Sequence, residues 1–263
     1  MSFLRFVPVV AALATLALPA GAASYTFTGS TNTALGATTT YSGVATSSGE
    51  TVPSVTVSAW ASSASSGSSK HLSSIEQAYL EQSGGALRVK SQGESTSEPQ
   101  HALDNSGKYE AILFDFGAGQ SIDLDTLTIS WTSNDSDIAI LAYTGNVAGY
   151  DAKTDFLDGS SFASLTATGG GWTLVGTYTN AGQGSETVNG GNVSSRYWLI
   201  GARGLTDGTN DSKSDYVKLS ALTTTYRTPT TPPPSTGVPE PASLALIGTA
   251  LAGMIAVRRR KAA

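Results

Sequence analysis

The chain has 263 residues, no cysteine, and 15 Lys and Arg against 20 Asp and Glu. Its 36 Ser and 33 Thr and its 40% hydrophobic content, with only 13% charged residues, exclude a coiled coil and an acidic disordered chain, leaving apolar material for one core. Without Cys there is no thiol catalysis, no disulfide staple and no Cys-ligated metal.

At the N-terminus, Arg5 precedes the uncharged apolar stretch Phe6 to Leu18, and Ala20-Gly21-Ala22 offers small residues for cleavage after Ala22 or Ala23. The stretch is shorter than the roughly 20 residues a spanning helix needs. Residues 1–23 therefore read as a signal peptide, with signal peptidase as the processing partner. Setting aside Arg5, Glu240 and the four C-terminal cations, ten positive charges face nineteen negative ones between residues 24 and 237, a net of −9. A body with no basic stripe excludes nucleic acid as a partner.

From residue 24 to 227, runs of β-forming residues alternate with Gly, Asn, Asp and Ser. Strands are expected at 25–28, 51–60, 86–90, 109–116, 126–132, 137–143, 172–179, 196–202 and 216–226. Leu127-Thr128-Ile129-Ser130-Trp131 is the clearest, with Leu127, Ile129 and Trp131 on one apolar face. Ser74 to Gln82 fits a short helix or a strand. Gly169-Gly170-Gly171 reads as a turn before Trp172. The expected fold is all-β, a single antiparallel β-sandwich of jelly-roll type.

His101, Asp104, Asn105 and Glu110 form the sharpest polar cluster of the body. Hard cations take side-chain and backbone oxygens, so Asp104, Asn105 and Glu110 are the candidate ligands of a Ca²⁺ ion. Turn chemistry at Asp104-Asn105-Ser106-Gly107 accounts for the same residues without a metal. Asn134, Asp135 and Asp137 fall between two strands, and Asp207 to Asp211 forms a polar loop; both fit Asx turns. Asp115 with Asp123 or Asp125 is the available carboxylate pairing for glycoside hydrolysis, though any acidic chain offers such pairs. There is no Gly-x-Ser-x-Gly elbow and no phosphate-binding Gly loop, so no catalytic residue is assigned. Trp60, Trp131, Trp172 and Trp198 all fall in expected strands, where core packing competes with a sugar-stacking platform.

Residues 228–237 form a Pro/Thr-rich linker, stiffened toward polyproline II. Val238-Pro239-Glu240-Pro241 follows. Ala242 to Val257 then carries no charge, and Arg258-Arg259-Arg260-Lys261 closes the segment. At about 1.5 Å per residue this stretch makes a short transmembrane helix, and its cationic end is held cytoplasmic. The box, helix and basic tail over 238–263 resemble the PEP-CTERM protein-sorting signal. That resemblance implies recognition by an exosortase in a Gram-negative bacterium that makes exopolysaccharide, with a membrane-anchored precursor passing to the cell surface or matrix.

Within the body, Pro99 to Asn105, Glu110 to Phe116, Trp131 to Ile138 and Leu141 to Gly145 resemble a family of exosortase-dependent surface proteins, over roughly residues 80–225. The resemblance brings no catalytic residues. The combined expectation is a non-catalytic, exported surface or matrix protein associated with exopolysaccharide and biofilm. A carbohydrate-binding module, Ca-dependent or not, is the alternative from another class, and a secreted glycoside hydrolase the third.

Overall fold

The computed structural model describes residues 20–227, apart from 66–68, 96, 98, 100 and 210. The apolar core of the expected signal peptide, the linker at 228–237 and the expected transmembrane helix at 242–257 lie outside the described residues. Among the described residues no helix is long and apolar enough to cross a membrane.

The described chain is built from strands. β1 (Ala20–Thr26), β2 (Thr31–Asn32), β3 (Thr39–Tyr41), β4 (Val44–Ala45) and β5 (Val55–Ser62) come first. After a 3-10 turn at Lys70–Leu72 follow β6 (Ile75–Gln77), β7 (Tyr79–Ser83), β8 (Ala86–Lys90) and β9 (Leu103–Asp104). Next come β10 (Glu110–Asp115), β11 (Ile122–Asn134) and β12 (Ile138–Tyr143). A π-helical turn at Ala152–Leu157 and the short α1 (Phe162–Leu165) interrupt the series. β13 (Trp172–Tyr178), β14 (Gly184–Thr187), β15 (Ser194–Ser195), β16 (Tyr197–Ala202) and β17 (Asp215–Arg227) complete it.

Two sheets result. One has the order β14-β11-β17-β8-β7-β2, with β1 and β9 also on β17, β15 on β11 and β4 on β1. The other has the order β13-β12-β16-β10-β5-β3, with β6 on β5. The pairs are antiparallel throughout. The fold is all-β, as the composition predicts. Ser74 to Gln82, open between helix and strand, is β6 and the start of β7: Trp60 lies opposite Gln77 and Tyr79 opposite Lys90.

Alternation explains where the core sits. Ile112, Phe114, Ile138, Ile140, Trp198 and Ile200 point between the sheets, where they meet Leu87, Leu127, Ile129 and Leu219 of the other sheet. Their neighbours Ala111, Leu113, Ala139, Leu141 and Leu199 face the other way, into a second cluster with Tyr150, Leu157, Phe162 and Leu165. The second sheet is therefore buried on both faces, because residues 150–165 cover its outer side. This is why β10, β12 and β16 read as continuous apolar runs, while β11 alternates over Ile122–Leu124 and Leu127–Ile129. The Gly169-Gly170-Gly171 turn closes the covering segment: a Cβ on Gly170 would stand 2.1 Å from the Leu165 carbonyl oxygen.

Two details depart from the sequence reading. Trp131 is not on the apolar face with Leu127 and Ile129, because the β11–β17 ladder shifts register between Ile129 and Trp131. Its half-buried ring instead carries the Lys218 ammonium 4.3 Å from its centroid. Trp60, Trp172 and Trp198 are buried. At the other end of the chain, Ala20 to Ala23 pair with Arg227 to Thr224. Cleavage after Ala22 would remove the first three residues of β1, leaving Ala23, Tyr25 and Phe27 in the core.

Candidate functional site

The polar cluster expected around residues 101–110 divides into separate sites. β9 is two residues long and ends at Asp104, and β10 begins at Glu110, so the intervening turn brings both carboxylates to one end of the sandwich. The Asp104 Oδ1 accepts the Ser106 backbone N–H at 2.8 Å, which sets the turn. The loop after β8 adds a third acid, Glu94. Oxygens of Glu94, Asp104 and Glu110 lie within 4.8 Å of one another.

Backbone donors hold these carboxylates in place. Ser91 N–H donates to Glu94 Oε2 at 2.7 Å and to Glu110 Oε1 at 3.1 Å, and Asp104 N–H donates to Glu110 Oε2 at 3.2 Å. Asp104 and Glu110 are each 1% exposed, and Asp104 Oδ2 is buried with no hydrogen-bond partner. Burial pushes the Asp104 carboxyl up to about 8, with the Glu94 charge adding to it. Burial also raises Glu110 well above the usual carboxylate range, helped by Asp104 and Glu94, and raises Glu94 itself. A solvent-connected cavity of about 220 Å³ adjoins the cluster, lined in part by Ser91, Glu94, Ser106 and Gly107.

Asn105, the third expected ligand, turns away from this group. Its Nδ2 donates to Asp215 Oδ2 at 2.6 Å and to the Arg203 carbonyl at 3.1 Å, and its Oδ1 accepts the Asp215 N–H at 2.9 Å. With every side-chain polar atom engaged, it has no oxygen to give Asp104 and Glu110. His101 is also elsewhere: it pairs with Glu81, which also meets Arg88 Nε at 3.2 Å.

Asp215 belongs to a second acidic group, with Asp135 and Asp137, all buried. Here two of the three acids have a cation partner. Arg203 donates to Asp137 Oδ2 at 2.7 Å, Lys213 Nζ lies 3.2 Å from Asp135 Oδ2, and Asp137 N–H donates to Asp215 Oδ1 at 2.8 Å. Asp137 Oδ1 also accepts the Asn180 N–H at 2.6 Å. Asn134 takes a positive φ of 59° beside it. Asp135 Oδ1 accepts the N–H of the next residue, Ser136, one position short of the bond an Asx turn makes, and Asp137 is an interior anchor rather than a turn residue. In the loop at 207–211, Asp207 Oδ1 accepts the N–H and hydroxyl of Thr209, as such a turn requires.

The acids considered for hydrolysis are each engaged locally. Asp115 holds Arg196 through two bonds of 2.7 and 3.0 Å, Asp123 accepts from Ser194, and Asp125 accepts the Thr225 hydroxyl at 2.9 Å. A separate open groove of about 560 Å³ lies over Gln120, Tyr143, Asn146, Tyr150, Arg196 and Tyr197. Tyr143 and Tyr150 stack at 3.8 Å there.

Glu94, Arg203, Lys213 and Asp215 are the residues the sequence reading missed. Glu94 sits in a Ser-rich loop with no motif around it, and Asp215 is 110 residues from Asn105, beyond any spacing rule.

Comparison with curated proteins and with solved structures finds no match. The expected sorting segment does match: residues 237–261 fit the family model of the PEP-CTERM protein-sorting motif. These residues lie outside the described part of the structure. The chain thus carries, at 237–261, the PEP-CTERM signal of an exosortase substrate.

Proposed function

We propose that this protein is an exported, exosortase-processed surface or matrix component of a Gram-negative bacterium, acting without catalysis within an exopolysaccharide or biofilm layer. The observation that carries the reading is the PEP-CTERM motif at 237–261, at the end of a chain whose body carries a net charge of −9 and a two-sided apolar core. Intact-mass measurement of protein recovered from cells tests it. The expected product begins at Ala23 or Ser24 and has lost the basic tail, and deletion of residues 238–263 releases the protein into the medium or periplasm. Recovery of the unprocessed chain from a host with an active exosortase, or retention of the deletion variant on the cell surface, overturns the reading.

The groove over Gln120, Tyr143, Asn146 and Arg196 favours a second reading, a carbohydrate-binding module. Its volume suits a saccharide, and its planar polar side chains suit sugar hydroxyls. Tyr143 and Tyr150 each turn one face to the other, so hydrogen bonds would carry much of the recognition. A pull-down with soluble exopolysaccharide, compared between wild type and Asn146→Ala, separates a binder from a display module.

A further inference from the structure

The two buried acidic groups differ in one respect. Asp137 and Asp135 have Arg203 and Lys213 as partners, whereas among the described residues no cation is bonded to an oxygen of Glu94, Asp104 or Glu110. Buried Lys70 acts on Asp104 through its field, and its ammonium donates to the carbonyls of Asn105 and Ser106 at 2.6 and 3.4 Å. Lys90 acts on Glu94 only through its field, and Lys108 is spent on Glu76. Taking carboxylates out of water without a matched positive charge costs several kcal/mol for each ion. Asp104 Oδ2, in a side chain 1% exposed, also has no hydrogen-bond donor among the described residues.

We propose that Glu94, Asp104 and Glu110 are the protein ligands of a hard divalent cation, with calcium the ion that fits. The ligand set is all oxygen. The one nearby imidazole, His101, is engaged by Glu81, so nothing selects a softer metal. Calcium bonds oxygens at 2.3–2.6 Å, so ligands on opposite sides of one ion stand about 5 Å apart. The 4.8 Å spread of the three carboxylates falls inside that limit. The backbone N–H groups of Ser91, Asp104 and Ser106 fix the carboxylate orientations, the role outer-shell donors play at metal sites. The adjoining cavity of about 220 Å³ gives an ion a path in and room for the waters that complete its coordination. Glu94 reaches the site from the β8–β9 loop, and Asp104 and Glu110 flank the β9–β10 turn, so the ion ties two loops together.

The test uses the full chain, purified in detergent, stripped with EDTA and unfolded by heat in 0–10 mM CaCl₂, with NaCl at matched ionic strength as control. The expected result is a saturable rise in Tm of about 5 °C or more, for an affinity in the range of extracellular calcium modules. Glu94→Gln, at the half-buried mouth of the site, should keep the fold and weaken the calcium response at least tenfold. Asp104→Asn should abolish the response, because a neutral amide oxygen replaces a carboxylate ligand. No shift in the wild type overturns the proposal, as does an equal shift with NaCl. An undiminished calcium shift in both variants does so too, because the ion then binds elsewhere.

Discussion

Asn105 and Asp215 bind each other twice: the amide of Asn105 donates to the Asp215 carboxylate at 2.6 Å, and the Asp215 backbone N–H returns a bond to Asn105 Oδ1 at 2.9 Å. The pair joins the β9–β10 turn to the first residue of β17, which also pairs with β9, β11 and β1. Replacing Asn105 with Ala leaves two buried groups without partners, each costing about 1–3 kcal/mol. Asn105→Ala should therefore lower unfolding free energy by roughly 2–6 kcal/mol. Chemical denaturation with an unchanged m-value checks it, and a loss below half a kilocalorie would show the clamp to be dispensable.

Burial pushes the Asp215 carboxyl up to about 7, and the charges of Asp137 and Asp135 push in the same direction. The folded protein then holds a proton that the unfolded chain releases near pH 4. The stability contributed by this proton is complete below about pH 4 and is lost as the pH rises through about 7. Asp215→Asn removes the titration, so the fall in Tm between pH 4 and 7 should be shallower in the variant than in the wild type. Parallel curves for the two proteins would assign the pH dependence to other groups.

Arg203 is the charge partner of Asp137, whose side chain is 1% exposed. Removing one member of a buried pair leaves an uncompensated charge and typically costs about 3–5 kcal/mol. Arg203→Ala is expected to lose about 3 kcal/mol, because the guanidinium itself is partly exposed, and Arg203→Lys should recover part of it. Urea melts of the two variants test this, and equal losses would show that the fork geometry of Arg rather than its charge matters.

Gly170 has backbone atoms on its Cβ side, with the Leu165 and Ser164 carbonyl oxygens at 2.1 and 2.3 Å from where a Cβ would stand. Backbone cannot rotate away as a side chain can. Gly170→Ala should cost about 1–3 kcal/mol and loosen the segment 150–165 from the outer face of the second sheet. Faster amide exchange at Phe162 and Leu165, with the sandwich core still protected, is the expected signature. Uniform loss of protection would mean that this layer and the core unfold as one unit.

The sequence by itself determined the all-β class, most strand positions and the sorting signal, because these are local. Alternation along Leu127-Thr128-Ile129 follows from the pleat, and a box followed by an apolar run and four cations is a contiguous pattern. It also marked Asp104 and Glu110, which the chain brings together across a five-residue turn. Tertiary structure alone decided the rest. Glu94 enters from another loop, Asn105 is drawn away by a residue 110 positions on, and a register shift moves Trp131 out of the core. Whether a buried acid is bonded to a cation, as Asp137 is, or to a backbone N–H with other acids beside it, as Asp104 is, depends on which distant loops close over it. No spacing along the chain records that, since the cost of an unmatched charge is set by what surrounds it in three dimensions.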